Sequence, residues 1–274
     1  MAVIVTAKGH RFDRSIPEPL PAHRMLSRVS LNLPSVVDLR SWCGPIKNQG
    51  AEGSCTGNSS ASAGEWIFRK YAKFWLPKGA PPNPQFSAQY TYEWELITDG
   101  NFPSDAGSDG ETACEVAILK GFCPLALDPY VAGQITQPTA AQDAAAGLYR
   151  MGAYHGLTGS QVMQSVLGDP VPWPVFVGFT VYDSLESDEV AATGIYNPNV
   201  STESVLGGHE VLAVGYDLGA IPTLRPAACP PAFLIQNSWS DSWGLKGFFW
   251  MVTSVIDAAD GSTDLKITHA GGKW

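Results

Sequence analysis

Charge is scarce in this sequence. Asp, Glu, Lys and Arg make up 16% of its 274 residues, below the quarter or so usual in globular domains. Positive charge is the scarcer sign, with 17 Lys and Arg against 26 Asp and Glu, a net of −9. A chain this acidic repels polyanions, which excludes the electrostatic grip that nucleic-acid binding requires. Long apolar runs are also lacking. The stretch from Ala2 to Ala7 is too short for a signal h-region, and nothing approaches the ~20 residues that cross a bilayer. The expectation is a soluble chain with no membrane span, cytoplasmic or exported by a route not visible here. No C-x-x-C pair or H-E-x-x-H run occurs, and His10, His23, His155, His209 and His269 are scattered, so neither a metal site nor a cofactor is expected. Cysteine is sparse and odd in number: Cys43, Cys55, Cys114, Cys123 and Cys229. At least one thiol is therefore unpaired within the chain, and the four besides Cys55 allow up to two disulfides or none.

What is present is a 45% hydrophobic composition with 28 glycines and 21 prolines, enough for a sizeable core linked by many turns. Residues 1–36 stand apart. They carry Lys8, Arg11, Arg14, Arg24 and Arg28 against Asp13 and Glu18, so the arm is +3 and the remainder −12. Pro17, Pro19, Pro21 and Pro34 forbid a regular helix and favour extended backbone there. Ser54 to Tyr71 reads as a partly buried helix. Ser87 to Ile97 and Asp109 to Leu119 read as two more, each opened by a capping side chain, with Gly121 ending the last. Val175–Val181, Val211–Tyr216, Phe233–Gln236 and Phe248–Val252 have the β-branched and aromatic content of strands. Helices first and strands later predict an α+β fold of two lobes, helical over about 45–130 and β-rich over about 150–260, within a domain spanning 37–274.

Three segments carry chemistry. Asn48-Gln49-Gly50-Ala51-Glu52-Gly53-Ser54-Cys55 puts a cysteine at a helix start, where exposed N–H groups favour an anion and lower a thiol's pKa. Gly207-Gly208-His209-Glu210 puts a histidine at the expected mouth of a strand, in a position to take a thiol proton. Asn237-Ser238-Trp239 follows another strand, and an asparagine amide there can orient an imidazole. In the order Gln49, Cys55, His209, Asn237, together with Ser87-Ala88-Gln89-Tyr90 and Trp243-Gly244, the chain resembles the papain-like cysteine peptidases over about residues 35–253. Cys55 lies 154 residues before His209 and 182 before Asn237, close to that family's spacing. Gly121-Phe122-Cys123-Pro124 and Asp128-Pro129-Tyr130 look more like its bacterial members than its plant ones.

The resemblance implies a cleft between the lobes with Cys55 as nucleophile and His209 as general base and acid. Asn237 would orient His209, Trp239 would shield their hydrogen bond, and Gln49 would supply an oxyanion donor. It also implies that Glu210 floors the pocket for the substrate residue two before the scissile bond. Gly107, Ser108 and Asp109 would line the opposite wall, Ser108 pairing its backbone with an extended peptide. Two carboxylates there predict a preference for Lys or Arg. The expected partners are a peptide or protein substrate and the chain's own segment 1–36. That arm is too short for a globular pro-domain, but it is extended and of opposite charge to the body, so that Ile16 to Leu31 would lie along the cleft. The sequence departs from the family at Ala51-Glu52, where a disulfide cysteine is usual, at Thr56, where a large aromatic is usual, and at Gly208. Two other readings stay open: a papain-like peptide binder that has lost turnover, and a papain-fold amide hydrolase or acyltransferase.

Overall fold

The computed structural model describes residues 33–157, 159–257 and 267–271. Within them lie helices α1 (Cys55–Lys70), α2 (Ala72–Trp75), α3 (Ala88–Thr98), α4 (Gly110–Leu119), α5 (Ala140–Ala146), α6 (Ser160–Leu167), α7 (Asp188–Thr193) and α8 (Thr253–Asp257). The strands are β1 (Val36–Asp38), β2 (Ala153–Leu157), β3 (Val175–Tyr182), β4 (Ile195–Tyr196), β5 (Val205–Asp217), β6 (Ala232–Gln236), β7 (Phe248–Val252) and β8 (Ile267–Gly271). The fold is α+β in two lobes, as expected, with α1, α3 and α4 in the first and one eight-stranded sheet in the second.

α1 is the pillar of the helical lobe. It is buried from Cys55 to Phe68, more completely than the sequence suggests. Small residues allow this. A Cβ on Gly57 would come within 2.8 Å of Tyr92 Cβ and 2.7 Å of the Ala88 carbonyl, and one on Gly64 within 2.8 Å of the Phe122 ring. Both glycines therefore buy close packing against α3 and the 121–124 turn. Below them Phe68, Phe86, Phe122 and Tyr149 pack edge-to-face and stacked, with centroids 4.9–6.4 Å apart. The Ser87 and Asp109 side chains cap α3 and α4 by accepting the N–H of Tyr90 and of Thr112. Ser54 does not cap α1; its hydroxyl is engaged by Tyr130 at 2.7 Å.

The sheet runs β2-β8-β3-β5-β6-β7-β4, with β1 also paired to β5. β5 is longer than expected. The Gly207-Gly208 pair does not break it, because Val181 and Thr180 of β3 continue the ladder opposite those glycines. His209 thus sits well inside the strand, facing Phe179, rather than at its mouth. The far end of β5 is fixed by a buried ion pair, Arg225 Nη1 to Asp217 Oδ1 at 2.6 Å. Asp217 Oδ2 also accepts the backbone N–H of Thr223, Leu224 and Arg225.

Of the expected arm 1–36, residues 1–32 lie outside the described residues. Its last residues are strapped to the β lobe. The Tyr216 hydroxyl donates to the Pro34 carbonyl at 2.9 Å, the Leu218 N–H donates to the Ser35 carbonyl at 2.9 Å, and Val36 pairs with Asp217.

Candidate active site

The site forms where the N-terminus of α1 meets the middle of β5. Ser59, one turn into α1, donates its hydroxyl to the Glu210 carbonyl at 2.8 Å. The Glu210 backbone N–H is directed at the Cys55 sulfur. Nucleophile and histidine candidates are thus held to the same stretch of strand. Both are buried, each only 1% exposed.

Asn237 follows β6, its N–H fixed to the Gly247 carbonyl at 2.9 Å. Its Oδ1 lies 2.8 Å from His209 Nε2 and also accepts the Ser238 N–H at 2.8 Å. A carbonyl oxygen only accepts, so Nε2 carries the ring hydrogen and Nδ1 is the nitrogen able to take a proton. The Trp239 ring stacks on His209 at 4.8 Å and 24°. It is braced edge-on by Trp243 at 5.1 Å, so the His209–Asn237 bond lies under an apolar roof. Phe179 meets the other side of the imidazole at 5.9 Å.

Gln49 arrives from the loop before α1. That loop is laced to the 238–240 segment: Gln49 N–H to the Ser238 carbonyl at 2.9 Å, Ser240 N–H to the Lys47 carbonyl at 3.0 Å, and a bridge between Asn48 and Trp239. The Ser238 hydroxyl donates to Gln49 Oε1 at 2.6 Å, and Gln49 Nε2 donates to the Glu52 carbonyl at 3.1 Å. Gln49, Cys55, His209, Asn237 and Trp239 are therefore brought together.

The thiol departs from expectation. Burial pushes Cys55 up to about 12, and the Glu210 and Glu95 carboxylates push it further in the same direction. The Glu210 and Thr56 backbone N–H groups draw it down but do not prevail. A helix N-terminus lowers a thiol's pKa, but here the loss of hydration on burial outweighs it. Glu95 on α3 is fully buried. The Thr56 hydroxyl donates to its Oε2 at 2.5 Å, and burial holds its carboxyl well above the usual carboxylate range. Sequence reasoning missed Glu95; the signal was Thr56 standing in place of an aromatic and leaving room for a polar partner.

Glu210 is fully buried and leans on the start of α4, where a Cβ on Gly110 would come within 3.1 Å of its Oε1. The structure thus joins Glu210 to the 107–110 segment. Asp109, however, turns its carboxylate to the Thr112 N–H at 2.8 Å, and the Ser108 hydroxyl goes to Asp99 at 2.9 Å. Of the two carboxylates expected to face each other there, Asp109 is thus engaged as a helix cap. None of the five cysteines is in a disulfide.

The family model described as papain family cysteine protease matches residues 33–265. Cathepsin C of Schistosoma mansoni is 28% identical over 225 residues, covering 77% of this chain and 44% of that protein. The chain spans less than half the length of the curated relatives it matches. Xylellain, a cysteine protease from Xylella fastidiosa, has a similar structure, with a TM-score of 0.78 at 24% identity over 98% of this chain and 97% of that one. The ragweed pollen allergen Amb a 11, a cysteine protease in its proform, gives a TM-score of 0.70 at 18% identity over 91% and 70%. These two likenesses concern the fold. Among the described residues no helix is long and apolar enough to cross a membrane.

Proposed function

We propose that this chain, which belongs to the papain family of cysteine proteases, hydrolyses peptide bonds through Cys55, His209 and Asn237 by way of a thioacyl-enzyme. The observation that carries this is the His209 Nε2–Asn237 Oδ1 bond of 2.8 Å beneath Trp239. It commits the ring's other nitrogen to proton transfer beside a cysteine at a helix start. His209 Nδ1 takes the thiol proton as sulfur attacks the scissile carbonyl carbon. The carbonyl oxygen then becomes an oxyanion between Gln49 Nε2 and the Cys55 N–H. Collapse of that intermediate expels the amine, which takes the proton from His209. Water, deprotonated by the same nitrogen, frees the acid and restores the thiol.

An active-site titration with a peptidyl epoxide tests the reading. One equivalent should attach to Cys55 as peptide hydrolysis disappears, and Cys55→Ala should do neither. Labelling of Cys55 without any hydrolysis of peptides would favour a peptide binder instead.

Two finer elements belong to the same reading. Glu210, leaning on Gly110, supports a pocket that prefers Lys or Arg two residues before the scissile bond. A peptide library in which Leu or Phe wins there, unchanged by Glu210→Ala, would remove that element. The near-complete burial of Cys55 and His209 supports a covered cleft. Segment 1–36, of opposite charge to the body, is the proposed cover, making the chain an N-terminally inhibited zymogen.

A further inference from the structure

The loop that delivers Gln49 ends at the candidate nucleophile, and no disulfide ties it down. One hydroxyl gathers three of its groups. Tyr130, on the 128–133 stretch after the helical-lobe core, lies 2.6 Å from Glu52 Oε2, 2.9 Å from the Gln49 carbonyl and 2.7 Å from Ser54 Oγ. It therefore touches the oxyanion residue, the residue before the nucleophile and the carboxylate between them. Glu52 is only 4% exposed. Its other oxygen accepts the Gly133 N–H at 3.0 Å. Asn58, one turn into α1, donates to both the carbonyl and the hydroxyl of Ser54, at 2.9 and 3.1 Å.

The hydrogen count assigns the roles. Tyr130 has one hydrogen, and the carboxylate, as the nearest and only charged acceptor, takes it; the Gln49 carbonyl shares it. Ser54 then donates to the Tyr130 oxygen, and Asn58 donates to Ser54. The chain of donors runs from α1 through Ser54 and Tyr130 to Glu52. Burial and the Glu52 carboxylate both push the Tyr130 hydroxyl upward, so it stays a donor throughout the pH range of an enzyme. On the inner side the Gly53 N–H is held by both oxygens of Asp105, at 3.0 and 3.1 Å. The loop thus sits between two carboxylates. The Glu52 carbonyl, fixed by this arrangement, is also the acceptor for Gln49 Nε2.

We propose that Tyr130 and Glu52 are positioning residues for the oxyanion site: their charge-assisted bond sets the height at which Gln49 Nε2 and the Cys55 N–H face the cleft. Neither touches the reacting atoms. The proposal rests on the peptidase reading and concerns one part of it, the stabilisation of the oxyanion. Two donors aimed at a developing charge lose their effect with small displacements, so the clamp acts on kcat rather than on substrate affinity.

The test compares two reactions of Cys55 in the full chain. Hydrolysis of a dipeptide anilide passes through an oxyanion. Alkylation by iodoacetamide displaces iodide at a saturated carbon and forms none. The ratio of the two rates, compared between variant and wild type, separates loss of the oxyanion site from loss of the nucleophile. Tyr130→Phe should lower kcat for the anilide about tenfold or more, with KM and the alkylation rate within about twofold of wild type. Glu52→Ala should behave in the same way. Glu52→Gln, which keeps one carbonyl acceptor but sets its amide N–H donor against the Gly133 N–H, should fall between Glu52→Ala and wild type. Equal losses in hydrolysis and alkylation would mean a generally disordered site and overturn the proposal, as would unchanged kcat or a change confined to KM. A chain that is alkylated at Cys55 but hydrolyses nothing, whether residues 1–32 are present or removed, would overturn the peptidase reading itself. That result is distinct from failure in the variants alone.

Discussion

At the scale of single residues the unusual feature is a nucleophile that is poorly ionised by its own surroundings. Burial pushes the Cys55 thiol up to about 12, and in the proposed mechanism its proton leaves through His209. The pH dependence of alkylation follows from this. With His209 in place, the iodoacetamide rate should level off on a plateau across neutral pH, because the ion pair and not the lone thiol titrates. In His209→Ala the rate should rise about tenfold per pH unit and show no plateau below about pH 10, as expected of an unassisted thiol. A neutral-pH plateau retained in that variant would remove His209 as the proton acceptor. Gln49 acts later. Its amide is oriented by Ser238 and by the Glu52 carbonyl, and Gln49→Ala should lower kcat by about 10²–10³, the usual loss for one oxyanion donor. Steady-state kinetics with a peptide anilide would show it, and a change in KM alone would contradict it.

At the scale of elements, two carboxylates make opposite contributions to stability. Glu93 on α3 has its carboxyl raised to about 7 by burial, although its Oε1 accepts the Thr136 N–H and hydroxyl. A carboxyl with a raised native pKa binds more protons folded than unfolded. Stability is therefore lost as pH climbs from the ordinary value near 4.5 through about 7, by an amount on the order of 3 kcal/mol. Glu93→Gln should abolish that part of the decline, measured as denaturant midpoints between pH 4 and 8. A variant with the wild-type slope would show that Glu93 is not the group responsible. Asp217 at the end of β5 goes the other way. Three backbone N–H groups and Arg225 hold its carboxyl below the usual range, against the opposing effect of burial. Its contribution is present above the unfolded pKa and disappears in acid. Asp217→Ala strands Arg225 in the interior and should cost about 3–5 kcal/mol in urea unfolding; a loss under 1 kcal/mol would mean that water replaces the pair.

Much of this was legible in the sequence. The helices opened by Ser87 and Asp109, the strands built from Val, Phe and Ile, and the order Gln49, Cys55, His209, Asn237 are local signals. The length of β5 was hidden, because glycines read as breakers only until a neighbouring strand pairs with them. The raised thiol was hidden as well, since burial is a property of packing and not of spacing. Tyr130 stood in view beside Asp128-Pro129, but nothing local said that its hydroxyl meets Glu52, 78 residues earlier.

At the scale of the whole molecule, the division of charge makes its own prediction. If the basic segment covers the acidic cleft, removing residues 1–32 should raise activity on a small dipeptide substrate at once, while β1 remains in place. The synthetic segment added back should inhibit, and less so at high salt. A folded, truncated protein with unchanged activity would end the zymogen reading. The strap at Pro34 and Ser35 sharpens this further, because it works as a leash with a fixed post. Val36 is tied opposite Asp217, eight residues along β5 from His209, a distance of about 27 Å at strand spacing. Even a fully extended chain gains only about 3.3–3.6 Å per residue, so roughly eight residues of slack are consumed before the leash reaches His209. On the zymogen reading, residues after about Arg28 would be too close to the post to lie across Cys55. The blocking stretch then shifts upstream from the span Ile16–Leu31 to residues nearer Ile16, and a cut anywhere between there and Pro34 would release the cleft without disturbing the sheet.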